Sequence, residues 1–450
     1  MPILWRRTRN SGSCIADGVA RRYTSSDKRM SVLAQWSDSD LKNIPNTMSS
    51  LNPESHALRR RRLANIYSKS WLAISAHMQM ITETILQKRL TPLLERSGKA
   101  GEPVEMLQLN IALGVDVVSS FFFGLDSGSN FVEDCDSRRA WMIAYADSHN
   151  HRDMFVRQEL PWLERAFKLF GLSISTRKCR EGTKFLERWC QERCSMSDER
   201  LREWTVDQPS KGDYPLAYNH LKQMVESQKV VKMKDLGREV QSEILDHLVA
   251  TRDAFGVTLT FAMFQISCNA EIQRALRAEF QALPALTPSP QQLDNLPVLH
   301  GIVKESLRLR PTHPEGQPRV VPQDGVVEAL GTYKLTPGTR IYSYPWLLHR
   351  KEDVFPQAEV WNPYRWIERD EDDQEKKGCS KEMENAFWAF GKGSRICMGN
   401  HLVYYVMKSA LWAVYSQFGS TISDAGVFGE VGRFVSGNPD EILRMMFETA

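Results

Sequence analysis

Between residues 238 and 268 the chain reads REVQSEILDHLVATRDAFGVTLTFAMFQISC, a stretch without proline that is read as one long helix. At about 1.5 Å per residue it would run on the order of 45 Å, enough to cross a domain of this size. Helical periodicity dominates the first two thirds of the chain. Ile74, Met78, Ile81 and Ile85 are spaced four, three and four residues apart, which places them on one face as expected core positions. Further helices are expected near 104–122, 138–170, 182–204 and 270–283. After Pro311 the texture changes: two β-prone runs, Gly325–Leu330 and Arg340–Trp346, flank the turn signal Thr336-Pro337-Gly338-Thr339. A last helix is expected over roughly 400–418. The fold class is mainly α with small β-sheets.

Charge and composition narrow the function. The 58 Lys+Arg stand against 55 Asp+Glu, and a net charge of +3 is too small to argue for a nucleic-acid partner. With 42% hydrophobic and 25% charged residues the chain can bury a large core and is neither disordered nor fibrous. No Gly/Ser- or Pro-rich linker and no internal period divides the 450 residues, so one large domain is expected. Eight irregularly spaced cysteines do not make a secreted disulfide framework and point to a reducing compartment. No segment is expected to span a bilayer, and the start, MPILWRRTRNSGSC, lacks a secretory apolar run.

Chemistry concentrates in Phe390-Gly391-Lys392-Gly393-Ser394-Arg395-Ile396-Cys397-Met398-Gly399. Two glycines let the backbone pass close to something flat, and an arginine offers two hydrogen bonds to a carboxylate. The cysteine stands just before a helix, where the N-terminus and loop N–H groups are expected to lower its pKa and make a usable metal-binding thiolate. Taken alone, a single cysteine beside a Gly-rich turn is as well read as a buried core residue.

The spacing of Phe390, Gly391 or Gly393, Arg395, Cys397 and Gly399 resembles the haem-binding signature of the cytochrome P-450 family. The resemblance implies a single domain with the long helix over one haem face and the cysteine loop on the other, Cys397 as axial thiolate on the iron of haem b, and Arg395 on a haem propionate. Glu305-Ser306-Leu307-Arg308 resembles the family's Glu-x-x-Arg element. The same spacing recurs at Glu199/Arg202, Glu271/Arg274, Glu430/Arg433 and Glu441/Arg444, but only Glu305 and Arg308 lie in an apolar-periodic helix ending in a proline before the β-rich part. Arg365, in Asn362-Pro363-Tyr364-Arg365, resembles the third partner, and the three imply a buried charge triad that fixes the cysteine loop.

Further contacts follow from the same resemblance. His56 and Arg60, four apart on one helix face, resemble a haem-contacting pair, although Arg59–Arg62 also read as a solvated basic patch. Arg319 resembles a strand arginine that reaches a propionate. In Ala250-Thr251-Arg252-Asp253-Ala254-Phe255, Asp253 matches the family's proton-relaying acid, whereas Ala254 stands where an alcohol is usual, and a methyl donates no hydrogen bond. Thr251 replaces a small glycine, and Thr258 is a displaced candidate donor.

The resemblance covers about residues 45–450 and is closest in style to microsomal-type enzymes of fungi. Those begin with a membrane anchor, so residues 1–45 are read as the remnant after a lost anchor and 46–450 as the haem-thiolate domain. The implied function is a monooxygenase that inserts one oxygen atom from dioxygen into an apolar small molecule in secondary-metabolite biosynthesis. Implied partners are an NADPH-dependent cytochrome P-450 reductase and cytochrome b5, at the cytosolic face of the endoplasmic reticulum. Two alternatives stay open: a reductase-independent isomerase or dehydratase acting on an oxygenated substrate, and an inactive haem-binding protein.

Overall fold

The computed structural model describes residues 41, 44–148, 160–203, 212–228, 235–284, 288–312, 316–321, 327–329, 333–369, 375–426 and 442–449. Among the described residues the α-helices are, in chain order, α1 Pro53–Leu63, α2 Lys69–Ile74, α3 Ala76–Glu83, α4 Thr91–Ala100, α5 Met106–Phe123, α6 Cys135–Ser148, α7 Pro161–Leu169, α8 Arg177–Glu203, α9 Leu216–Gln228, α10 Leu236–Cys268, α11 Ala270–Gln281, α12 Pro290–Asp294, α13 Pro297–Leu309, α14 Pro345–Leu348, α15 Lys381–Ala386 and α16 Asn400–Tyr415. The strands are β1 Val104–Glu105, β2 Gln317–Val320, β3 Val327–Ala329, β4 Tyr333–Leu335, β5 Arg340–Ser343, β6 Ile367–Arg369, β7 Glu375–Lys377, β8 Phe418–Asp424 and β9 Arg444–Thr449.

The proline-free stretch forms α10, 33 residues long, and it stops where Asn269 leaves the helix and caps α11 by accepting from the Ile272 amide at 3.1 Å. Its buried side carries Val240, Ile244, Leu248, Leu259, Met263 and Ile266, and its main neighbour is α5. Every residue of α5 except Gln108 is buried. This corrects the expectation that no segment could span a bilayer: α5 is long and apolar enough by length and composition, but the fold encloses it as the core helix against α10.

Other expectations are also corrected. Ile74 does not join Met78, Ile81 and Ile85 in the core, because α2 ends at Ile74 and Ser75 restarts the chain as the cap of α3. Ile74 is 75% exposed, whereas the other three are fully buried. The helix expected over 138–170 is two, α6 and α7, with 149–159 outside the described residues. The β-prone run Arg340–Trp346 stays extended only to Ser343, since Pro345 begins α14.

All sheets are antiparallel: β1-β9-β8 in one, and the pairs β2-β5, β3-β4 and β6-β7. The turn expected at 336–339 is present, with Gly338 at φ +80° and the Thr339 amide donating to the Thr336 carbonyl at 3.1 Å. Of the segment assigned to 1–45, Leu41 packs in the core and the Ile44 carbonyl accepts from Ser242 Oγ of α10 at 3.0 Å.

The α5–α10 crossing generates a test. A Cβ on Gly256 would meet Ile111 Cα at 2.7 Å and its backbone nitrogen at 2.8 Å. Alanine gains about 1 kcal/mol in helix propensity over glycine, but overpacking two helix backbones costs about 1–3 kcal/mol. Gly256→Ala should therefore lower the melting temperature in calorimetry. A rise would show that the crossing relaxes without strain.

Candidate functional site

The cysteine loop is built between α15 and α16. Gly391 and Gly393 both have positive φ, +71° and +77°, a backbone state that only glycine adopts without strain. The Gly391 amide donates to the Trp388 carbonyl and the Cys397 amide to the Phe390 carbonyl, each at 2.9 Å, which folds the loop back on itself. The Phe390 ring packs on Tyr404 of α16 with centroids 5.5 Å apart.

Cys397 is exposed, yet it is enclosed closely enough that burial pushes its thiol above the ordinary range. Both facts hold if the sulfur lines an opening inside the fold. On α10, Ala250 is likewise exposed between buried Val249 and Arg252. The amides of Gly399 and Asn400 hydrogen-bond the sulfur and, with Arg60, favour its anion. Those groups act in the direction expected from the sequence, but desolvation outweighs them and the net shift is upward, which corrects the expected lowering. A bound cation would supply the charge that the loop alone does not.

Four basic side chains gather beside this opening. Arg60 donates from Nη1 to the Ile396 carbonyl at 2.7 Å, and Arg395 donates to the Ser50 and Leu51 carbonyls at 2.6 and 3.0 Å. Arg319 on β2 reaches the Lys392 carbonyl at 3.3 Å. Burial, then Arg319 and Arg60, press the Arg395 guanidinium down to about 10, so Arg395 is repelled by the other two. His56 is held near 4 by burial, then by Arg395 and Arg60, and is neutral at ordinary pH. Among the described residues neither Arg60 nor Arg319 has a carboxylate partner. Arg60 and Arg319, without a carboxylate partner among the described residues and close to Arg395, suit a dianionic group, and the residues fit a haem with two propionates.

Arg59 and Arg62 do not form the solvated patch that was the alternative reading. Arg62 is fully buried, and both pair with Glu239 of α10, at 3.1 and 2.8 Å. They fasten α1, and with it His56 and Arg60, to the long helix.

The Glu-x-x-Arg element selected in the sequence is the buried one. Glu305 and Arg308 on α13 are both fully buried and joined by two bonds of 2.8 Å, whereas Glu199, Arg202, Glu271 and Arg274 are exposed; Glu430, Arg433 and Glu441 lie outside the described residues. Arg365 donates to Glu305 at 2.9 Å, as do the Trp366 indole and the Asn362 amide. Arg308 also donates to the His349 and Ala358 carbonyls at 2.7 Å.

His349 is the residue whose role the sequence did not show. Burial holds it near 3, so it is neutral; Nδ1–H donates to the Arg308 carbonyl at 2.7 Å, and Nε2 accepts the Trp388 amide at 2.8 Å. It therefore ties the triad helix to the start of the cysteine loop. A lone histidine after a strand carries no local pattern that would reveal this.

On α10 the side chains of Asp253 and Ala254 lie outside the described residues. Thr251 donates its hydroxyl to the His247 carbonyl at 2.7 Å and turns toward α5, where a Cβ on Gly114 would meet its methyl at 3.2 Å. Thr258 donates to the Arg310 carbonyl at 3.4 Å.

Comparison with known proteins agrees with this geometry. The Cytochrome P450 family model matches residues 19–426, and the chain belongs to that family. It is 26% identical to cytochrome P450 monooxygenase avaI of Aspergillus versicolor, covering 80% of this chain and 81% of that protein. It is 27% identical to cytochrome P450 monooxygenase gsfF of Penicillium aethiopicum, over 82% and 70% of the two chains. It is also 23% identical to inactive cytochrome P450 monooxygenase cloA of Claviceps fusiformis, over 87% and 73%.

Two outcomes follow. Glu305→Gln leaves Arg308 and Arg365 facing each other in a buried place, a change that typically costs about 3–5 kcal/mol, and should yield protein that aggregates or retains no haem. Glu199→Gln and Glu271→Gln should be mild, and equal damage at all three would contradict the assignment. For His349, the folded value near 3 lies below the unfolded 6.5, so its contribution is intact above pH 6.5 and is lost as pH falls toward 3. His349→Gln should flatten the acid limb of a melting-temperature profile while lowering its plateau, and an unchanged acid limb would show that another group governs it.

Proposed function

We propose that the protein is a haem-thiolate monooxygenase with Cys397 as the iron ligand of haem b. The carrying observation is the Cys397 sulfur, open within the fold, receiving the Gly399 and Asn400 amides beside the cationic cluster of His56, Arg60, Arg319 and Arg395. The relatives named as monooxygenases support the same reading. Haem supplies activation of dioxygen and insertion of one oxygen atom into an apolar small molecule.

The chain's own residues hold and orient. Arg60, Arg319 and Arg395 neutralise the propionates, with His56 offering an N–H. Phe390, Gly391, Gly393 and Gly399 shape the loop that presents the sulfur, and Glu305, Arg308 and Arg365 hold that loop through His349. Asp253 is the proton-relaying acid by resemblance, working without a hydroxyl at Ala254. Residues 46–450 constitute the catalytic domain, with 1–45 leading into it. Electrons come from an NADPH-dependent cytochrome P450 reductase, with cytochrome b5 as a second donor, at the cytosolic face of the endoplasmic reticulum. The substrate class is an intermediate of fungal secondary metabolism.

The reduced protein under carbon monoxide should absorb at the long wavelength characteristic of thiolate ligation, and Cys397→Ala should abolish that band. Product formation should require reductase and NADPH. Conversion of a peroxide substrate with no reductant present would favour an isomerase or dehydratase, and haem binding without turnover by either route would indicate an inactive protein.

A further inference from the structure

A second cluster of titratable side chains lies along α10, outside the site described above. Glu243 is buried at 1% exposure; its Oε2 accepts the Thr47 amide at 3.0 Å, while its Oε1 has no hydrogen-bond partner. One turn on, His247 presents Nε2 to that oxygen across 3.7 Å, and Nε2 is also buried without a partner. The other ring nitrogen, Nδ1, hydrogen-bonds the Tyr67 hydroxyl at 3.0 Å, and the two rings stack with centroids 5.2 Å apart.

Two buried, unpartnered atoms facing each other across a gap slightly too long for a hydrogen bond form an unfinished contact. A proton on His247 completes it as a charge-assisted bond to Glu243. Asp246, on the same helix, has its carboxyl pushed well above the usual range by burial and by Glu243, against the Met48 amide. Two acids so close in a buried place do not both ionise readily, and burial together with Glu243 disfavours the charge on Asp246. The surrounding groups are His56 on α1, whose proton affinity Glu243 raises, and Glu239, which Arg59 and Arg62 already neutralise. From α5 the Phe122 ring lies 5.5 Å from the His247 ring.

The cluster reaches the iron-ligand loop. A point at the Cβ position of Gly399 is 3.8 Å from Cys397 Sγ and 3.9 Å from Tyr67 Cε1, so ring edge and sulfur flank the same spot. Charge on Cys397 acts on Tyr67, and charge on Asp246 acts on Cys397.

We infer that Glu243 and His247 are a proton-accepting pair coupled to the haem site, taking up a proton when that site gains an electron, with Tyr67 and Asp246 as the link; the inference rests on the haem-thiolate reading. The electron comes from a one-electron donor, dithionite in the test or a flavoprotein reductase in turnover. The proton comes from bulk water and resides on His247 Nε2 against Glu243 Oε1. Added negative charge at the haem site raises the pair's proton affinity, and by reciprocity a proton on the pair makes the electron easier to add. The pair thus stores a proton on a helix whose Thr251 and Thr258 hydroxyls already donate to backbone carbonyls.

The test is the midpoint potential of the haem-loaded protein by spectroelectrochemistry between pH 5.5 and 8.5. One proton following one electron shifts a potential by about 59 mV per tenfold change in proton concentration. The wild type should show a sizeable part of that slope, falling as pH rises. Glu243→Gln, which keeps an acceptor for the Thr47 amide, and His247→Gln should each flatten it, and Glu199→Gln should not. Redox-difference infrared spectra should show a carboxyl change in the wild type that Glu243→Gln removes. A pH-independent wild-type potential, or variants that keep the wild-type slope and the infrared change, overturns the inference. Absence of the long-wavelength carbon monoxide band in the wild type overturns it together with the haem-thiolate reading, whereas a normal band with a flat slope sinks this inference alone.

Discussion

One buried carboxylate organises the half of the molecule that carries the site. Glu305 accepts five hydrogen bonds: two from Arg308 and one each from Asn362, Arg365 and Trp366. A carboxylate taken out of water this completely is tolerable only if every lone pair is used and opposite charge is near. The five donors come from α13 and from the turn at 362–366, so meeting the demand of one side chain fixes two segments some sixty residues apart in sequence, as the Arg365 bond shows. Gly301 allows the close approach, since a Cβ there would lie 2.4 Å from the Pro363 carbonyl oxygen. The constraint then passes from the Arg308 carbonyl through His349 to the Trp388 amide and into the cysteine loop.

What could be read from the sequence follows from how local each cause is. The cysteine loop was legible because its glycines, arginine and cysteine sit within ten residues and each answers a local need: positive φ at Gly391 and Gly393, a sulfur beside the first amides of α16. The buried Glu-x-x-Arg was legible because burial follows from the apolar period of α13, which the exposed alternatives lack. Tertiary causes were not legible. Ile74 fits the period of the following helix but belongs to the one before, because the Ser75 cap breaks the register. His349, Trp366 and the Glu239 partners of Arg59 and Arg62 acquire their roles only when distant segments meet.

The cysteine itself shows why a local argument can have the right sign for each part and the wrong sign for the whole. Amides and Arg60 favour the thiolate, as the helix N-terminus suggests. Burial acts on the same atom in the opposite sense and prevails. The arginine cluster is the mirror image: Arg60, Arg319 and Arg395 are desolvated, and Arg395 is repelled by the other two. A sulfur short of positive charge stands beside the Arg60 and Arg319 guanidiniums, which have no carboxylate partner among the described residues, and a flat group with a cationic metal at its centre and carboxylates on its rim relieves both at once.

The long helix carries the remaining division of labour. Its apolar face packs against α5, and Gly256 lets the two backbones approach closely. One polar side of it meets α1 and residues 44–48, where Glu239 takes Arg59 and Arg62, Glu243 takes the Thr47 amide and Ser242 donates to Ile44. The same face thus docks the segment that brings His56 and Arg60 to the cysteine loop. Because helix positions 239, 243 and 247 recur at one-turn intervals, an acid that anchors α1 and an acid facing a histidine are placed in a single row. Anchoring neutralises the first, and the second faces His247 Nε2 across 3.7 Å. A row built for docking thereby also sets a buried acid opposite a histidine, where one turn earlier the acid meets two arginines.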